Sequence, residues 1–203
     1  MHLDARGLPI STTSTTAAAA YDHLITGYLT YRADTPDRLK AVLEADPDFA
    51  LAHCMQGYFA MLAFKQAVVP VAVQAARTAQ SLAAGATPRE RSHIAALTAW
   101  AEGELDRAIT AWESILRTHP HDLVAFRLAH FVNFWLGRPQ DMVASVERVI
   151  RIGRRTSRAI QWYWPAAASR RRRPAIISPP SPPGAAPSSS IRAICGPRTP
   201  LPT

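Results

Sequence analysis

An all-α fold of stacked antiparallel helix pairs is what this sequence predicts, on three observations. Apolar residues recur at i, i+3, i+4, i+7 along successive segments, the mark of amphipathic helices: Ile94, Leu97 and Ala101, then Leu105, Ala108, Ile109, Trp112, Ile115 and Leu116. Helix-breaking chemistry separates these segments, as at Glu102-Gly103-Glu104 and His119-Pro120. The break at Pro47 lies 73 residues before the break at Pro120, close to two units of about 34 residues each, the length of one two-helix repeat.

Each element follows from its residues. Residues 1–13 form an extended leader, with Pro9 inside it and no helical period. Ser14 or Thr15 opens a helix over 17–31 with Tyr21, Leu24, Ile25, Tyr28 and Leu29 on one face. Thr35 as cap and Pro36 at the first helical position start a short helix with Leu39, Val42 and Leu43 inward. After Asp46-Pro47-Asp48, residues 48–65 carry a wide apolar face of Leu51, Cys54, Met55, Tyr58, Phe59 and Leu62. Its partner spans 68–84. Thr87-Pro88-Arg89-Glu90 has the spacing of a capping box and opens the hairpin of 92–118. Asp122 caps a helix ending at Gly137, and 139–150 follows with Met142, Val143, Val146, Val149 and Ile150 as its face.

Charge divides the chain. Residues 1–150 hold all 15 acidic residues and 13 basic ones, whereas 151–203 hold ten Arg and no acid, so the formal +8 belongs to the tail. That tail is Arg, Pro, Ser and Ala, with four consecutive Arg at 170–173 and Ser-Pro-Pro-Ser-Pro-Pro-Gly at 178–184. A disordered basic tail fits this composition; a frameshifted translation of GC-rich DNA fits it better. Read from the third base of each codon, Gln161-Trp162-Tyr163-Trp164-Pro165 gives Met or Val, then Val-Leu-Ala, an apolar helical run. The domains expected are therefore 1–13, 14–150 and 151–203.

No run is long and apolar enough to span a membrane, and no apolar core follows the N-terminal Met1-His2-Leu3-Asp4-Ala5-Arg6. Cys54 and Cys195 lack CxxC spacing. A cytoplasmic protein without membrane contact fits these features. Beyond His2, the histidines His23, His53, His93, His119, His121 and His130 form no HExxH and no ligand set, so we expect them satisfied or exposed, with no metal and no cofactor. His119 and His121, beside a turn proline, should be solvated. Among the aromatics most read as core, but His130, Phe131, Asn133 and Trp135 are candidates for lining a groove.

Ala108, Trp112, Ile115 and Pro120 match the small, aromatic, small and Pro positions of a tetratricopeptide repeat, and Gly57, ten residues after Pro47, stands where that repeat wants a small side chain. Gly7-Leu8-Pro9-Ile10-Ser11-Thr12, Tyr21-Asp22, the run Asp46 to His53 and Glu90-Arg91-Ser92-His93 together resemble the tetratricopeptide repeat protein 38-like family, over about residues 4–150. The resemblance implies a longer α-solenoid without an established activity, acting on a protein or peptide partner, and transfers no catalytic residue. Members continue past this point with helix pairs that include an Asp-Leu-Trp…His-Ala-Val-Ala-His segment, which the shifted frame permits. A non-catalytic interaction scaffold is the leading expectation. The alternatives are an enzyme with its site in the solenoid groove and a basic-tailed nucleic-acid binder.

Overall fold

The computed structural model describes residues 1–156, with side chains to Arg151. The tail expectations, disorder and frameshift, lie outside the described residues apart from 151–156, which continue the last helix. The leader is a small antiparallel ladder, β1 (His2–Leu3) with β2 (Pro9–Ile10), in which His2 faces Ile10 and Leu3 faces Pro9. Asp4 closes its turn by accepting from the backbone N–H groups of Arg6 and Leu8, both at 2.9 Å.

Eight helices follow: α1 (Thr15–Leu29), α2 (Thr35–Ala45), α3 (Ala50–Leu62), α4 (Val69–Ser81), α5 (Pro88–Ala101), α6 (Leu105–Thr118), α7 (Leu123–Trp135) and α8 (Pro139–Thr156). The class is all-α among the described residues, the leader ladder aside. Each helix packs on the next. Beyond these sequential contacts α3 packs on α5, and α6 on α8.

Side-chain caps explain three of the helix starts. Ser14 accepts from Ala17 N, Asp122 from Ala125 N, and Thr87 with Glu90 completes a reciprocal capping box. Several boundaries differ from expectation, and α8 runs to Thr156 rather than to 150. α1 spans 15–29 rather than 17–31, and α3 spans 50–62 rather than 48–65, because Tyr31 and Phe64 leave the helical region for positive φ. Asp34, not Thr35, holds the cap position of α2; Thr35 turns its hydroxyl back onto the Arg32 carbonyl at 2.6 Å. α4 begins at Val69, after a 3-10 turn over Gln66–Val68.

Of the expected packing residues, Gly57, Ala108 and Trp112 are buried and Pro120 is half-buried. Trp112 and Ala108 on α6 are fully buried. Trp112 meets Trp100 edge-to-face at 5.4 Å and Tyr58 at 5.9 Å. Gly57 is the crossing point of α3 on α5, since a Cβ there would lie 2.5 Å from Leu97 Cδ2. Pro120 follows His119, whose N–H closes α6 on the Ile115 carbonyl. On α8, Val143 is exposed and Met142, Val146, Val149 and Ile150 are half-buried.

Candidate functional site

Four of the eight helices end alike. The residue just past the cap of α1, α3, α5 and α7 takes positive φ: Tyr31 (56°), Phe64 (50°), Gly103 (84°) and Gly137 (67°). These positions are 33, 39 and 34 residues apart. After α1, α5 and α7 the following residue closes the loop by donating to a carbonyl in the last turn: Arg32 to Gly27, Glu104 to Ala99 and Arg138 to Asn133, at 2.8–2.9 Å. Glycine suits this position because it has no Cβ to strike the neighbouring carbonyl. An aromatic residue there costs about 1–2 kcal/mol. The chain therefore uses the expected glycine twice and accepts strain twice, each time with a large aromatic.

Both strained aromatics turn toward α7. Sequence composition makes α7 apolar almost all round, so one side (Val124, Ala125, Leu128, Ala129, Val132) fills the core and leaves a second, largely aromatic stripe that begins at a cation. That stripe is Arg127, Phe131 and Trp135, one residue per turn. Phe64 lies 5.7 Å from Phe131 and 5.5 Å from Trp135, centroid to centroid, and Phe131 lies 6.1 Å from Trp135. One end of the stripe is Arg127, whose guanidinium carbon sits 4.2 Å from the Tyr31 ring centroid and 4.9 Å from that of Tyr28. Its Nη1 donates to the Leu29 carbonyl at 3.3 Å. Tyr28 in turn meets Phe59 at 5.3 Å. Tyr31 is 84% exposed, Trp135 62% and Phe64 56%. Exposed aromatics gathered in one cluster make this face a candidate contact surface, unlike single exposed apolar residues.

Of the predicted groove residues, Phe131 and Trp135 lie in this face. Asn133 does not: it is 1% exposed, and neither side-chain atom has a hydrogen-bond partner. Two positions from both Phe131 and Trp135, it is rotated by about 200° to the opposite side of the helix. His130 is half-buried, its ring stacked on Phe126 at 5.7 Å, and burial lowers its pKa. His119 and His121 are half-buried rather than solvated. Burial, then the charge of Arg89, lowers the His119 pKa.

Sequence reasoning missed Tyr31 and Phe64 by enclosing them in helices. The signal that finds them is the interval of about one repeat counted back from the glycines after α5 and α7. It also missed a second constellation, because a capping Asp and a helical His read as separate features. Asp122 Oδ2 accepts from Arg89 Nη1 at 2.6 Å and lies 3.0 Å from His93 Nε2, which must carry the hydrogen toward a carboxylate. Tyr58 donates to the His93 carbonyl at 2.8 Å, lies 3.1 Å from His93 Nδ1 and accepts from Trp112 Nε1 at 3.2 Å. Burial would raise the Asp122 pKa, but the charge and hydrogen bond of His93, with Arg89, hold it well below the usual carboxylate range. Burial pushes the Tyr58 hydroxyl and the Cys54 thiol up. The leader seals this junction: Arg89 Nη2 donates to the Pro9 carbonyl at 3.1 Å and Glu90 Oε1 accepts from Ser11 N at 2.9 Å. Arg89, Glu90, His93 and Asp122 are all buried, so this chemistry is turned inward.

Among the described residues no group of three or more His, Cys, Asp or Glu could hold a metal ion, and no helix is long and apolar enough to cross a membrane. No known protein-family model matches the chain, and no solved structure matches it.

Proposed function

We propose that the chain is a protein-interaction scaffold of tetratricopeptide-like helix pairs, stacked as an α-solenoid, that meets a protein or peptide partner on the ends of α1 and α3 and the outer stripe of α7. The observation that carries this reading is the pair of strained, exposed aromatics at 31 and 64, set where 103 and 137 have glycine. Strain that a glycine would remove points to a use for the ring. The repeated helix endings, at intervals near one two-helix unit, support the stacked-pair architecture. Aromatic side chains supply large rigid contact area at low entropic cost, which is how interface anchors work. The reading is non-catalytic and cytoplasmic.

Peptides selected from a random display library against the full chain test it by hydrogen exchange. Selected peptides should protect the C-terminal ends of α1 and α3 together with α7. Protection confined to α2, α4 and α6 would move the binding face elsewhere and sink the assignment.

A further inference from the structure

We infer that the face formed by Tyr31, Phe64, Phe131 and Trp135 binds a peptide segment carrying carboxylates beside aromatic or aliphatic side chains, which rests on the scaffold reading above. The apolar half of this assignment comes from the exposed rings. The charged half comes from two cations that flank them. Arg127 sits over the Tyr28 and Tyr31 rings and forms no ion pair among the described residues. Its one hydrogen bond to Leu29 engages Nη1 and leaves further donors of the guanidinium fork for an acceptor. Lys65 is exposed, follows Phe64 directly and likewise has no ion-pair partner among the described residues. An arginine already stacked on aromatic rings is pre-organised, so it loses little freedom when it grips a carboxylate. Arg127 stacks on Tyr31 at one end of the cluster, and Lys65 is the residue that follows Phe64 in the chain.

A purely structural role for the rings fails against the molecule's own control. Gly103 and Gly137 end α5 and α7 with the same positive φ, and with the closing bond that α1 shares, and have no side chain. Tyrosine and phenylalanine are therefore not needed to stop α1 and α3. They put rings within reach of the α7 stripe, where each stays more than half exposed.

Fluorescence titration of the full chain with three short synthetic peptides tests the assignment. The peptides share one set of Phe, Trp and Leu residues and differ in carrying Glu, Gln or Lys between them. The Glu peptide should bind about tenfold tighter than the Gln peptide, with the Lys peptide weaker still. That preference should shrink as salt is raised. Lys65→Gln and Arg127→Gln should each reduce the preference for Glu over Gln, and Arg127→Lys should restore part of it. The double variant Tyr31→Gly with Phe64→Gly should lose about tenfold in affinity for all three peptides while its Tm holds or rises, because glycine relieves the backbone. Equal affinity for the three peptides, reduced in the double variant, would overturn the acidic partner and leave the docking face standing. Binding by none of them, or binding indifferent to Tyr31 and Phe64, would overturn the assignment outright; the face itself is then judged by the display selection.

Discussion

The buried junction around Asp122 and the aromatic face around Phe64 are opposites. At the junction, groups that could do chemistry are sealed from water, and most of their ion-pair and hydrogen-bond partners are one another or the leader, with Arg89 Nε left without one among the described residues. On the face, groups with little chemistry of their own are exposed and held at a backbone cost. A list of reactive residue types would have pointed to the first region. Accessibility and strain point to the second. Buried charge networks are stabilising only while every partner is present, so the junction should respond to mutation as a structural element and the face as a binding surface.

The sharpest way to break this contrast is at Asp122. Replacing it with Ala strands the buried Arg89 guanidinium and removes the cap of α7, so we expect a loss of about 3–5 kcal/mol in denaturant unfolding of the full chain. A loss under about 1 kcal/mol would mean that the junction is not held as described. Trp112→Ala, which opens a cavity between Trp100 and Tyr58, should cost about 3–5 kcal/mol. Ala108→Leu, overpacking a fully buried position, should cost about 1–3 kcal/mol. Wild-type melting of both would displace the α5–α6 hairpin.

Acid and base sharpen the same contrast. The Asp122 carboxyl has a lowered pKa in the folded chain, so the stability it contributes is present above its unfolded pKa of about 3.9 and is lost as pH falls further. Asp122→Asn should flatten that acid limb. Tyr21 and Tyr58 are pushed up by burial, so their contribution is present below an unfolded pKa of about 10 and is lost as pH climbs beyond it. Across this range the Asp122→Asn variant should be less stable than wild type above about pH 4 and approach it as pH falls, because the contribution it lacks is the one wild type loses in acid.

The smallest effect belongs to the face. Tyr31→Gly removes about 1–2 kcal/mol of backbone strain and a cation–π contact of about 0.5–1 kcal/mol at an exposed site. The net should be stabilisation by a few tenths to about 1 kcal/mol. A loss above about 2 kcal/mol in equilibrium unfolding would make Tyr31 a structural residue.

Much of the fold was legible because its signals are local. Thr87 and Glu90 stand three apart, Asp122 directly precedes its helix, and Gly103 and Gly137 mark their turns. Phe131 and Trp135 were legible as a stripe because they are one turn apart. Tyr31 and Phe64 were not, since an aromatic residue carries no local mark of positive φ and extends the helical apolar pattern by one step. Asn133 was misplaced because its i+3 relation to His130 is real, yet which side of α7 faces the core is set by α6 and α8. The His93–Asp122 pairing was hidden for a like reason: 29 residues separate the partners, and only the packing of α5 against its neighbours brings them together.

The ties made by the leader and by Arg127 bear on how the chain folds and unfolds. A stack of helix pairs that touches only nearest neighbours can fray from its ends one unit at a time. Here Ser11 is held by Glu90 across 79 residues, Pro9 by Arg89 across 80, and Leu29 by Arg127 across 98. These long closures must form before the first pair is secured, which slows folding relative to a purely local helical array. They also couple the leader and α1 to α5 and α7, so the beginning of the chain cannot peel away while the middle stays folded. Unfolding should then run as one cooperative event, with backbone amides of α1 and α5 exchanging at a common rate.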